Sequence, residues 1–322
     1  MVDFMSMRVG QVRRLAGTVA AVTLEALADA PLPAFTPGAH INVRLPNGLV
    51  RSYSLYTLDG AARRYEIAVN RDPVSRGGSA YIHERLQPGD VVNISPPRNL
   101  FALDEGPHPS VLIAGGIGVT PLYCMAQQLA ARGADWQMAY AARSRAGAAF
   151  VDALQALAER SGAALRLHFD DEAQGRVLDI AGIVQRAPEG AHFYCCGPAP
   201  MLQAYLEACA GLPEARVHYE RFCADPAATA LAGEAEFEVE LARSGLVLRV
   251  AQDQTILEAM LNAGIEVEYS CMQGICGSCR TAVLAGEPDH RDAFLSPQEQ
   301  AANDSVMVCC SRARGGRLVL DC

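Results

Sequence analysis

The chain has 322 residues, 50% of them hydrophobic and 20% charged, a length and balance that fit two or three packed domains and exclude a disordered chain. All 27 basic residues are arginine, so a phosphate-loop lysine, a lysine Schiff base and pyridoxal chemistry are ruled out. The net charge of −9 opposes binding to nucleic acid or to an anionic membrane, both of which work through basic patches. The opening MVDFMSMRVG lacks the basic start and apolar run of a secretory signal, which predicts a cytoplasmic protein. The uncharged stretch 111–131 is interrupted by Gly115, Gly116, Gly118 and Pro121, so no membrane span is expected there. A monomer is expected. Eleven cysteines in a reducing compartment point to metal or catalysis before disulfides.

Residues 8–103 read as short β-rich runs (INVRL, YEIAV, VVNIS) separated by turn clusters such as FTPGAH and LPNG, which predicts a small antiparallel barrel. Within it, Arg51-Ser52-Tyr53-Ser54 follows an apolar strand and resembles the R-x-Y-S flavin motif of ferredoxin-reductase-like barrels. An Arg can pair bidentately with a flavin phosphate, a Tyr can lie against the ring, and a Ser hydroxyl can bond the N5 region. Ser75-Arg76-Gly77-Gly78-Ser79 precedes an expected helix and offers backbone N–H groups as a second phosphate contact.

From residue 110 apolar runs (VLIAG, WQMAYAA, ALRLHF, HFYCC, RVHYE) alternate with Ala- and Leu-rich stretches of helical length, the pattern of a parallel sheet. After VLIAG comes Gly115-Gly116-Ile-Gly118-Val-Thr120-Pro121, whose missing side chains let a pyrophosphate approach backbone N–H groups at a helix start. It is not G-x-G-x-x-G. Together with Cys196-Gly197-Pro198-Ala-Pro200-Met201 it resembles the nucleotide site of ferredoxin-reductase-like enzymes, which would bring Cys196 to the nicotinamide. WQMAYAA ends in Arg143-Ser144-Arg145, with no acidic residue for a ribose 2′-hydroxyl. NADH is the expectation and NADPH stays open. The seven histidines are scattered, with no pair at metal spacing.

The small, polar, aperiodic stretch 223–234 reads as a tether. Residues 236–322 carry 13 acidic and 7 basic side chains, net −6. They hold Cys271-x4-Cys276-x2-Cys279, with Cys309 following after 29 residues. Four thiolates so spaced match the plant-type 2Fe-2S signature, three from one loop and the fourth from a remote strand. Zinc ribbons use two C-x2-C pairs and fit less well. Gly274, Gly277 and Ser278 let the loop turn its N–H groups toward sulfur. Cys310 adjoins Cys309, and on a strand only one of them could face the cluster.

The cysteine loop, with DHRDAFLS at 289–296 and VMVCCSRARGGRLVLD at 306–321, resembles the phthalate dioxygenase reductase family. The resemblance implies a multidomain α/β and β architecture: an antiparallel FMN-binding β-barrel (1–104), a parallel α/β NAD(P)H-binding domain (105–225), a linker (226–235) and a β-grasp plant-type ferredoxin domain (236–322). It implies FMN beside Val69 and Asn70, with FAD the runner-up, Cys309 as fourth iron ligand with Cys310 outside the set, and Phe222 against the flavin. Hydride would pass from the nicotinamide to FMN and single electrons from FMN to the cluster, with Ser54, Cys196 and Phe222 at the reacting centre. It also implies a separate terminal oxygenase of the Rieske non-haem iron type as partner. A cytochrome P450 or other acceptor, or a redox sensor, are the alternatives.

Overall fold

A computed structural model describes residues 4–27, 31–58, 63–73, 77–222, 235–269 and 271–322. The tether at 223–234, the linker except Ala235, and Ser75 and Arg76 lie outside the described residues. The chain divides into two compact units, Asp3–Phe222 and Cys223–Cys322.

The first unit opens with strands β1 (Met5–Ala16), β2 (Val19–Ala26), β3 (Ala39–Arg44), β4 (Val50–Ser54) and β5 (Arg64–Asn70), helix α1 (Gly78–Glu84), and strands β6 (Val91–Ile94) and β7 (Arg98–Asn99). They pair antiparallel in the order β4-β3-β6-β1-β2-β5 with β7 on β3. An antiparallel bridge from Leu55, just past β4, to Ile67 of β5 brings the two edges together, closing the sheet as a barrel. Strand β2 (VAAVTLEA) is apolar on both faces for a reason. Val22 and Leu24 fill the barrel interior, while Val19 and Ala21 belong to a core shared with the next layer.

That layer comprises β8 (Ser110–Gly115), α2 (Val119–Ala131), β9 (Trp136–Ala142), α3 (Val151–Ser161), β10 (Ala164–Phe169), α4 (Ile180–Gln185), β11 (His192–Cys196), α5 (Ala199–Cys209) and β12 (Val217–Glu220). Its strands are parallel in the order β10-β9-β8-β11-β12. Strand β8 (SVLIAG) is buried along its whole length, because Leu112 and Ala114 face α2 and α3 while Val111 and Ile113 face α4 and α5. Tyr56 of the barrel, Tyr123 of α2 and Phe150 join across the two layers, with Phe150 ring centroids 4.8 Å from each tyrosine. Phe150 takes a left-handed backbone (φ 63°) that a bulky residue adopts only when packing enforces it.

The barrel's exit is fastened by histidines that the sequence leaves apart. Asp104 Oδ1 meets His108 Nε2 at 2.6 Å, and the His108 ring stacks on His192 at 3.5 Å. His192 Nδ1 lies 3.2 Å from His218 Nε2, and His218 stacks on Tyr194, whose hydroxyl accepts the Asp104 N–H. Asp104, His108 and His192 bring one donor atom each within 4.8 Å. The carboxylate and the rings already engage one another by hydrogen bonding and near-parallel stacking.

The second unit contains β13 (Phe237–Leu241), β14 (Leu246–Val250), α6 (Ile256–Asn262), β15 (Arg280–Ala285), β16 (Pro288–Asp289), α7 (Pro297–Ala302), β17 (Ser305–Met307), β18 (Arg312–Ala313) and β19 (Arg317–Leu320). A mixed sheet in the order β14-β13-β19-β15-β17 packs against α6, the β-grasp arrangement. Both helices start on capping boxes, Thr255 with Glu258 and Ser296 with Glu299. Arg312 is fully buried and donates to the carbonyls of Ala235, Ala251 and Gln254. Among the described residues no helix is long and apolar enough to cross a membrane.

Candidate cofactor sites

Strand β4 presents Arg51 and Tyr53 on one face and Ser52 and Ser54 on the other. The Arg51 side chain runs to the start of α1. A Cβ on Gly78 would sit 2.8 Å from Arg51 Nε, so only glycine lets the guanidinium approach the helix there. Gly77 precedes it at φ 90° with no side-chain cap, and Ser79 Oγ accepts the Asp72 N–H. Arg51, Gly77, Gly78 and Ser79 thus converge as donors that fit a phosphate. Tyr53 is half-buried, and desolvation pushes its phenol far up. Ser54 is buried opposite His40 on β3, and Ser52 donates to Asn42 Oδ1. The Leu55–Ile67 bridge sets the end of β4 beside β5, which carries Val69 and Asn70. Val69 is buried, its carbonyl 2.9 Å from His83 Nε2, and Asn70 Oδ1 accepts from Thr18.

The sheet order reverses between β8 and β11, the switch point where open α/β sheets bind ligands. The loops leaving those strands interlock glycine to glycine. A Cβ on Gly118 would lie 2.3 Å from the Cys196 carbonyl oxygen, and one on Gly115 would lie 2.6 Å from Pro198 and 2.7 Å from Met201 Sδ. Gly197 lies in the same contact, and Gly116 is exposed at φ 54°. Thr120 is buried, donates to the Ile117 carbonyl and, with Pro121, begins α2. Arg143 is exposed past β9, and Ser144 caps the following turn by accepting the Gly147 N–H.

Cys196 is fully buried, points to the barrel side of the sheet, and shares its core with Phe222. Its register partner on β12 is Glu220, which sequence reasoning passed over. The Glu220 Oε2 atom is buried without a hydrogen-bond partner, and burial pushes the carboxyl up to about 8. The available signal was an acidic residue closing β12, two positions before the aromatic that ends the unit.

In the second unit the loop after α6 carries Cys271, Cys276 and Cys279. Cys309 does not come from a strand. It lies in the turn after β17, where Cys310 and Ser311 return their N–H groups to the Met307 carbonyl. Cys271, Cys279 and Cys309 are buried and Cys276 is half-buried. Contact with Cys276 and Cys309 draws the Cys271 thiol strongly down, and contact with Cys309 draws Cys279 down. The same contacts push Cys276 and Cys309 up. Sulfurs this close cannot all ionise unless cations sit among them, so the donor set fits an iron–sulfur cluster. Backbone donors already face them: Gly274 N–H to Cys309 Sγ at 3.2 Å and Gln273 N–H to Cys271 Sγ at 3.3 Å. Cys310 Sγ lies against Gly274, 3.8 Å from the Met307 carbonyl.

Residues 112–207 match the oxidoreductase NAD-binding domain family, and residues 239–314 the 2Fe-2S iron-sulfur cluster binding domain family. The chain is 48% identical to the tetrachlorobenzoquinone reductase of Sphingobium chlorophenolicum, covering 99% of this chain and 98% of that protein. It is 47% identical to a vanillate O-demethylase oxidoreductase of Pseudomonas sp. (strain HR199 / DSM 7063), covering 90% and 91%. Among solved structures, phthalate dioxygenase reductase, described as a modular structure for electron transfer from pyridine nucleotides to 2Fe-2S, aligns with a TM-score of 0.80 and 36% identity over 99% of this chain and 98% of that one.

Proposed function

The chain belongs to the phthalate dioxygenase reductase family of NAD(P)H-dependent flavin and 2Fe-2S oxidoreductases, and we propose that its flavin is FMN, its coenzyme NADH and its acceptor a separate Rieske-type oxygenase. Proteins of this kind are the reductase subunits of multicomponent oxygenases. Bound flavin turns the two-electron hydride of the coenzyme into single electrons that a 2Fe-2S cluster can take.

The residues divide the work as follows. Arg51, with the Gly77-Gly78-Ser79 start of α1, holds the single flavin phosphate, which favours FMN over FAD. Ser52, Tyr53, Ser54, Val69 and Asn70 line the ring site, with the Ser54 hydroxyl as hydrogen-bond donor toward N5. Gly115, Gly116, Gly118 and Thr120-Pro121 admit the coenzyme pyrophosphate. Gly197, Pro198 and Met201 wall it, and Arg143 and Ser144 face its adenosine end. Cys196 and Phe222 border the nicotinamide and flavin rings, and Glu220 holds a proton beside Cys196. Cys271, Cys276, Cys279 and Cys309 hold the irons, with Gly274 and Gln273 N–H groups on the sulfurs. We further assign three working segments, 1–104, 105–225 and 236–322, joined at 226–235, in a cytoplasmic monomer.

The observation that carries this reading is the meeting of four cysteine sulfurs at the 271–279 loop and the 309 turn. Purified protein should contain about one FMN and two irons per chain by the cluster stoichiometry and oxidise NADH with a lower KM than NADPH. Cys276→Ser should lose reduction of cytochrome c, which draws on the cluster, while ferricyanide reduction, which draws on the flavin, persists. Zinc in place of iron, or loss of both activities in that variant, would refute the assignment. A second reading, direct reduction of a quinone, draws on the 48% identity with tetrachlorobenzoquinone reductase. Turnover with benzoquinones that survives Cys276→Ser would favour it.

A further inference from the structure

The segment DHRDAFLS belongs to none of the ligand or ring-binding sets, yet it packs directly on the cysteine loop. Asp292 has a fully buried side chain. Its Oδ2 accepts the N–H groups of Leu295 at 2.7 Å and Phe294 at 3.2 Å, and its Oδ1 accepts the Ser311 hydroxyl at 3.5 Å. Its carbonyl accepts from Gln300 Nε2. The carboxylate therefore folds residues 292–295 into a tight turn and ties it, through Ser311, to the turn that carries Cys309.

That turn seats both glycines of the cluster loop. The Ala293 N–H donates to the Gly274 carbonyl at 3.0 Å. A Cβ on Gly274 would stand 2.9 Å from Asp292 Cα and Cβ and 2.4 Å from Cys310 Sγ. The Phe294 ring covers Gly277, where a Cβ would come within 2.3 Å of it. Gly274, held on its carbonyl side by the turn, gives its N–H to Cys309 Sγ at 3.2 Å. Such N–H donors stabilise the reduced, more negative cluster and hold the ligand sulfur in place.

We propose that Asp292 is a positioning residue for the iron–sulfur loop. As a hydrogen-bond acceptor it builds the 292–295 turn that orients the Gly274 N–H onto the Cys309 sulfur, and so it sets the cluster's reduction potential and its hold on iron. The proposal rests on the four-cysteine ligand assignment.

The test uses full-length holoprotein, with low-temperature electron paramagnetic resonance of the reduced cluster, a redox titration and iron release to a chelator. Asp292→Ala removes the acceptor. It should shift or broaden the g-values, lower the midpoint potential, and speed iron release about tenfold, the usual size of an outer-shell effect. Asp292→Asn keeps an acceptor oxygen without the charge and should retain wild-type g-values and iron retention. If Asp292→Ala cannot hold iron at all, normal g-values in Asp292→Asn still support the proposal. Wild-type g-values, potential and iron retention in Asp292→Ala, or g-values in Asp292→Asn as disturbed as in Asp292→Ala, would overturn it. A wild-type protein with no rhombic signal would instead refute the ligand assignment.

Discussion

A carboxyl buried without a partner holds its proton more tightly than one in water, and Glu220 sits in that state with its value pushed up to about 8. Below the ordinary glutamate range both folded and unfolded chains keep the proton, so nothing is lost. As pH rises from about 4.5 toward 8, the unfolded chain releases a proton that the folded one retains, and stability falls by linkage. Glu220→Gln should therefore melt higher than the parent at pH 8 and no higher at pH 4.5, by a few kcal/mol at the upper limit. The same variant should lose a limb near pH 8 in the pH profile of NADH-to-ferricyanide turnover. An unaltered profile would remove Glu220 from the proton inventory. No periodicity marks this residue, because its burial comes from the neighbouring strand and the core around Phe222 rather than from its own segment.

Among elements, the interlock of the loops after β8 and β11 is the most exacting, since the atom facing Gly118 is a backbone carbonyl that cannot rotate away. Gly118→Ala should force the loops apart, raise KM for NADH at least about tenfold and cost about 1–3 kcal/mol of stability, as overpacking does. Bound flavin should remain. Steady-state kinetics and flavin content together check it. The histidine ring offers a second prediction. Burial lowers the proton affinity of His192 and of His218; the neighbouring imidazoles, and Arg216 at His192, act in the same direction, while the Asp104 carboxylate opposes them. Groups facing the ring are His108, Asp104 and Arg216. A lowered folded value means stability present above the ordinary histidine value of about 6.5 and lost as pH falls below it. Melting temperature should drop between pH 7 and 5, and His192→Gln should flatten that slope. The parallel layer was legible in the residues, with β8 a continuous apolar run buried on both faces, whereas the capping boxes that start α6 and α7 emerged only with the structure. The cysteine loop was legible because its ligands lie close in sequence. The turn holding Cys309 was not, because a turn closed by backbone bonds to Met307 leaves no side-chain pattern. The ring of His108, His192 and His218 was likewise hidden, since only the parallel sheet brings those positions together.

For the whole molecule, two thirds of the net charge of −9 lies in residues 236–322. We expect that field to steer encounter with a basic face of the oxygenase. Rates of electron delivery to the oxygenase should fall steeply between about 50 and 500 mM salt as the Debye length shrinks. Rates indifferent to salt would count against steering. The same comparison with ferricyanide, a small anion, should trend the other way. The core that Val19, Ala21, Tyr56 and Ala68 share with α2 and α3 has a different kind of consequence. Coenzyme oxidation is lodged in one thermodynamic block, so severing the chain beyond Phe222 would yield a freestanding diaphorase, able to bleach dyes yet deaf to its natural client.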